Sequence, residues 1–272
     1  MKKSSYKTGA PKTVALLVTT YNWPSALELV LETILRQTQM PDEILIADDG
    51  SFDATRQVIS YYKENYHLPL KHIWQPDEGF RKSLILNKAI KQTSCEYIIQ
   101  IDGDILIDRH FVADHLAAAE NGYFVQGCRV LINPDLTSEL IRSGLQPLGP
   151  WRRGIRNRIN ATRIPFLAPL FKGRPDNNRN IKACNLAFWR KDFITVNGYN
   201  NEFYGWGWED VEFATRLIKA GRKKKRLKMA GIAYHLHHPH SSRSGLDQNE
   251  TIYLESSKKR VFACANGYNQ AS

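Results

Sequence analysis

The run TVALLVTTY, Thr13–Tyr21, is apolar and β-branched with no alternation of polar and apolar positions. A strand with one solvated face alternates, whereas a strand covered on both faces does not. The run therefore predicts a buried strand of a parallel sheet, and such a sheet needs helices on both sides. The next segments supply them. Pro24 and SALELVLETILRQ (Ser25–Gln37) combine a helix-starting proline with apolar residues at a 3.6 period. Pro41 breaks the chain, and DEILIADDGS (Asp42–Ser51) predicts a second strand that ends in acids and a turn. DATRQVISYYKENY (Asp53–Tyr66) predicts a helix, LKHIWQ (Leu70–Gln75) a strand, and RKSLILNKAIKQT (Arg81–Thr93) a helix. EYIIQIDGDI (Glu96–Ile105) predicts a strand that runs into acids. Three strand–helix alternations imply an α/β fold, a Rossmann-like, mostly parallel twisted sheet flanked by helices. Ligands of such sheets bind at the carboxyl ends of the strands. Those ends carry Thr20–Asn22, Asp48–Asp49 and Asp102–Asp104, so acids from different strands are expected in one cleft.

The second half is less regular. HFVADHLAAAENG (His110–Gly122) predicts a helix and YFVQGCRVLI (Tyr123–Ile132) one strand. From Asn133 to Asn180 the chain is rich in Pro, Gly and Arg with weak periodicity, which predicts a functional or mobile loop. NIKACNLAFWRKDF (Asn180–Phe193) resumes order, and VEFATRLIKAG (Val211–Gly221) predicts a helix capped by Gly221. A length of 272 residues fits one large domain, or one with an extension. The net charge of +11 favours polyanionic partners, and much of it lies in WRRGIRNRINATR (Trp151–Arg163) and GRKKKRLK (Gly221–Lys228). Such runs fit a solvated face, an anionic membrane surface or an acidic glycan. Nucleic acid is not the expected partner, because no helix-turn-helix, RNP or zinc pattern is present. The four cysteines lie far apart without a CxxC pair, as in a protein of a reducing cytosol. The first apolar run, VALLV, is too short for a signal segment, and no run reaches the ~18 residues of a membrane span.

Four motifs carry chemistry. In DGD, two carboxylates on one turn repel each other unless a cation lies near, and hard oxygen ligands suit Mg²⁺ or Mn²⁺. The bland alternative is a solvated turn. DDGS (Asp48–Ser51) reads as an ordinary turn or as an acceptor for a base N–H or a ribose hydroxyl, with TTYN (Thr19–Asn22) beside it. GWGWEDVEF (Gly205–Phe213) sets two tryptophans and two glycines against the pair Glu209–Asp210. Acids are favoured at a helix start, and the same position can present a carboxylate to a substrate. AYHLHHPHSS places His235, His237, His238 and His240 within six residues.

The order TTYN, DDGS, DEGF (Asp77–Phe80), IDGD resembles the inverting family 2 glycosyltransferases of the GT-A fold. CNLAFWRKDFITVNGYNNEFYGWGWEDVEFATRL (Cys184–Leu217) resembles the galactosyltransferase-type C-terminal motif of bacterial chondroitin and capsule synthases, lipopolysaccharide glycosyltransferases and animal β-1,4-galactosyltransferases. The likeness spans roughly residues 13–240. It implies a basic tail over 1–12, a nucleotide-sugar-binding half over 13–132, an acceptor-binding and catalytic half over 133–240, and an extension over 241–272. It implies transfer of a sugar from a UDP-sugar to a glycan or lipid-linked acceptor, in lipopolysaccharide or capsule synthesis, by a cytoplasmic protein, either free or peripheral on the inner face of the cytoplasmic membrane. A non-catalytic nucleotide-sugar-binding partner in a glycan-assembly complex is the alternative. By resemblance Asp210 is the general base and Glu209 orients the acceptor. Asn185, Trp206 and Trp208 bind the acceptor. Thr20, Tyr21, Asn22, Asp49, Arg81, Asp102, Gly103, Asp104 and Trp206 hold the donor. Asp104, Asp102 and His235 hold Mn²⁺ or Mg²⁺. The third helix departs from the family, with Leu86 before Asn87 where relatives carry arginine, which leaves a phosphate contact to Arg81 or Lys82.

Overall fold

The computed structural model describes residues 9–171, 175–178, 181–239 and 245–271. Most of the expected basic tail, and His240, lie outside the described residues. In chain order the elements are β1 (Val14–Thr20), α1 (Pro24–Leu35), β2 (Glu43–Asp48), α2 (Asp53–Tyr66), β3 (Leu70–Trp74), α3 (Lys82–Lys91), β4 (Tyr97–Asp102), β5 (Ile105–Ile107), α4 (Phe111–Ala118) and β6 (Tyr123–Gln126). Then come β7 (Val130–Ile132), α5 (Pro134–Ser143), β8 (Ile155–Arg156), β9 (Asn185–Trp189), α6 (Arg190–Thr195), α7 (Glu209–Lys219), β10 (Lys223–Arg226), β11 (Ala233–His235) and α8 (Leu246–Lys258).

The main sheet has seven strands in the order β10-β6-β9-β4-β1-β2-β3, with β9 antiparallel to both neighbours. All seven residues of β1 are buried. Their pleat explains the unbroken apolar run. Val14, Leu16 and Val18 enter one core with α1, while Ala15 and Leu17 enter a second core with α3 and α7. The register Thr19↔Asp102 and Thr20↔Asp48 lines up the carboxyl ends of β4, β1 and β2. Convergence of the acids is therefore a consequence of strand pairing.

A second sheet, β5-β11-β7-β8, packs into the α1 core. It corrects three expectations. The segment Glu96–Ile105 is two strands, because the DGD turn hands the chain from the main sheet to the second. YFVQGCRVLI also breaks in two, with β6 in the main sheet and β7 in the second. The break falls beside Gly127, where an added Cβ would lie 2.2 Å from the Asn185 side chain. Finally, 133–180 is not a bare loop. Asn133 caps α5 through Leu136 N, Pro134 occupies its first turn, and Leu136 and Leu140 bury one face. Helix α7 starts at Glu209, so the acid pair forms its first turn, and Gly221 follows its end at φ +79°. The C-terminal residues pack onto α7: Trp208 stacks on Tyr253 of α8, and Ser256 Oγ donates to Glu212.

Candidate active site

A cleft of about 880 Å³ opens at the carboxyl ends of β1, β2 and β4. Thr20, Tyr21, Asp49, Asp102, Gly103, Asp104, Trp206 and His235 all line it, as does Lys82. Gly103 is required there by contact: a Cβ would meet Thr19 O at 2.6 Å, so only glycine lets the acidic turn press against β1.

The two acids of that turn have different environments. Asp102 Oδ1 accepts from Thr19 Oγ1 (2.9 Å) and Lys82 Nζ (2.6 Å). Burial pushes its carboxyl up, but the Lys82 ammonium outweighs this and holds it below the ordinary carboxylate range. Lys82 is itself held charged against burial by Asp102 and Glu209. Asp104 has no such cation on it. Its Oδ1 is buried without a hydrogen-bond partner, and its Oδ2 lies 3.4 Å from His235 Nε2 and 3.2 Å from His238 Nε2. Burial and the neighbouring Asp102 push Asp104 up to about 7, while burial pushes His235 down to about 4.

One ligand atom each from Asp104, His235 and His238 fall within 4.8 Å of one another. A neutral imidazole is a ready ligand, and so is a buried carboxylate that no protein donor saturates. The donor set thus fits a divalent metal such as Mn²⁺. The structure does not bring Asp102 into this trio, because Lys82 takes its oxygen. It brings in His238, which the sequence reading passed over. His235 ends β11 and the chain then leaves the strand, so no strand or helix period relates the two histidines.

The ED pair lies at the head of α7. Glu209 Oε2 accepts from Gly207 N (3.0 Å), and Asp210 accepts from Ala183 N (3.1 Å) and Val211 N (2.8 Å). Burial and then Asp210 push Glu209 up to about 7, and burial raises Asp210. Both feel the charges of Lys82 and Asp102, so the pair is electrostatically joined to the cleft although neither acid lines its wall.

Several expected residues are placed elsewhere. Trp206 faces the cleft, but Trp208 holds a left-handed φ of +72° with its ring flat on Tyr253, 4.9 Å away. Asn185 is buried against His115, Cys128 O and Gly231 O, a bracket between the two sheets. Asn22 ties the end of β1 to the DDGS turn through Ser51 and Phe52. The Arg81 guanidinium turns to Glu78 and Pro76 O, and only its backbone N–H reaches Asp49. Lys82 is the member of that basic pair in the cleft. Arg129 also lines it, unmarked by any sequence motif.

Residues 15–175 match the model described as Glycosyl transferase family 2, and residues 169–239 match the N-terminal domain of galactosyltransferase. The chain is 29% identical over 221 residues to the validoxylamine A glucosyltransferase of Streptomyces hygroscopicus subsp. limoneus, covering 76% of this chain and 48% of that protein. It is 24% identical to the chondroitin synthase of Pasteurella multocida (strain Pm70), covering 91% of this chain and 27% of that one. The chain thus spans about half the length, or less, of these relatives. Among solved structures, GalNAc-T7 with UDP, GalNAc and Mn²⁺ superposes with a TM-score of 0.65 at 15% identity, covering 92% of this chain and 48% of that one. The fold is that of the GT-A glycosyltransferases. With its model matched over more than half the sequence, the chain belongs to glycosyl transferase family 2.

Proposed function

We propose that the chain is an inverting, metal-dependent glycosyltransferase that moves a sugar from a UDP-sugar to a glycan or lipid-linked acceptor in bacterial surface polysaccharide synthesis. One observation carries this reading: the Asp104–His235–His238 trio and the Glu209–Asp210 pair flank one Lys82–Asp102 ion pair at the strand ends. A metal site for a diphosphate and a raised carboxylate pair for a hydroxyl are what a single displacement needs. Mn²⁺ or Mg²⁺ bound by Asp104, His235 and His238 would neutralise charge on the departing diphosphate.

The chain's own residues supply the rest. Asp49 takes a uracil N–H on the lone pairs left beside its bonds from Gln75 and Arg81. Trp206, 43% exposed at the cleft, offers a flat apolar face to a sugar ring. Asp210 removes the acceptor hydroxyl proton as the acceptor oxygen bonds to the anomeric carbon. The bond from that carbon to the diphosphate oxygen breaks on the opposite side, and its electron pair leaves with the diphosphate. One displacement inverts the centre. Glu209 orients the acceptor beside the base. Burial raises Asp210 from its ordinary value, which strengthens it as a base.

The test is Asp210→Asn. It should lower transfer by roughly 10²–10⁴-fold while UDP binding stays within twofold, since general-base help has about that value. Undiminished transfer by the variant removes Asp210 from the mechanism.

A further inference from the structure

We infer that the short 3-10 segment Pro165–Phe171, together with the edge strand β10, is a docking surface for an anionic lipid membrane. The segment turns Ala168 toward the core but leaves Phe166 78% and Leu170 76% exposed. Exposed apolar patches rimmed by polar residues mark contact surfaces. The chain here runs beside β10: Ile164 N donates to Met229 O, Lys224 N donates to Pro175 O, and Lys228 Nζ sits 4.9 Å over the Phe171 ring. Apolar tips and basic side chains therefore share one region.

The charge is one-sided. Neither 151–171 nor 222–235 contains an acid. Some of the cations are satisfied within the protein, Lys225 by Glu120 and Arg163 by Asp114. Arg226 and Lys228 form no ion pair among the described residues. Lysine on an edge strand also guards against strand pairing, but that role gives no reason to expose Phe166 and Leu170. Basic side chains in the same region as apolar tips fit a surface whose anionic headgroups overlie acyl chains. The same basic stretch includes Arg156, which lines the cleft, so a lipid-linked acceptor would arrive at the site from the membrane side. The inference deepens the lipid-linked form of the proposed acceptor and rests on that reading only for the direction of approach.

The test is co-sedimentation of the full chain with vesicles of phosphatidylcholine containing phosphatidylglycerol, against pure phosphatidylcholine. UDP binding is read by calorimetry on the same preparations, so failure of the surface and failure of the nucleotide site are told apart. Wild type should sediment with the anionic vesicles alone. Arg226→Ser with Lys228→Ser should weaken this about twenty-five-fold, at roughly fivefold per cation. Phe166→Ser with Leu170→Ser should weaken it at least about tenfold. Phe166, Leu170 and Arg226 are exposed and Lys228 is half-buried over Phe171, so UDP binding should not change and unfolding temperature should fall by no more than about 4 °C. Absence of wild-type binding overturns the inference. So does undiminished binding by the Phe166/Leu170 variant, which would make this a purely electrostatic surface for a soluble polyanion.

Discussion

Replacing Lys82 with methionine keeps an unbranched apolar stem, one atom shorter, and removes the charge. In the wild type its ammonium lies 2.6 Å from Asp102 Oδ1, and the two side chains are 15% and 26% exposed. Breaking one side of a fully buried pair costs about 3–5 kcal/mol, and residual solvent access reduces this to about 2–3 kcal/mol here. For a chain of this size that is a fall of roughly 4–10 °C in unfolding temperature. The assay is scanning calorimetry at neutral pH without metal or nucleotide. Adding Asp102→Asn removes the stranded charge, so the double variant should lose at least about 1 kcal/mol less than the sum of the single losses. A change under about 1 °C for Lys82→Met, or strict additivity in the double variant, refutes the view that this ion pair anchors the acidic turn.

Two other predictions concern the site. Burial raises Asp210, and burial with Asp210 pushes Glu209 up to about 7, so the base form appears late on titration. Transfer should climb with pH along an acid limb displaced above the ordinary carboxylate value, and a kcat/KM profile whose acid limb sits at that ordinary value, near ~4, would contradict the assignment. The sign for stability is opposite: acids raised on folding favour the fold when protonated. Their contribution is lost as pH rises from the unfolded value near ~4 through the folded value. His238→Ala should weaken Mn²⁺ binding at least about tenfold, measured by direct titration, because it removes one of three converging ligand atoms.

Much of the first half was legible because its signals are local. The unbroken apolar run of β1, the mostly apolar β4, helical periods between them, and acids at the strand ends place the cleft by a rule of sheet geometry. The second half was less legible because its strands divide between two sheets. The residues Gly127–Arg129 join β6 to β7, and nothing in the apolar pattern of YFVQGCRVLI marks the change of sheet. Helix α5 did leave a readable trace, since Asn133–Pro134 is a cap followed by a first-turn proline, but the surrounding Pro and Arg masked it. At the site, Asp102 and Asp104 look equivalent in sequence. They part because Lys82, twenty positions earlier, and Thr19 reach one of them while His235 and His238 approach the other. His238 and the Trp208–Tyr253 stack depend equally on contacts that no spacing encodes.

The most direct test of the nucleotide–metal cleft is UDP binding by calorimetry, with Mn²⁺, with Mg²⁺ and with EDTA, on wild type and on Asp104→Asn. The account predicts binding that needs a divalent cation and falls at least about tenfold in the variant. Absence of UDP binding under every condition, or equal binding by the variant in Mn²⁺, would contradict it.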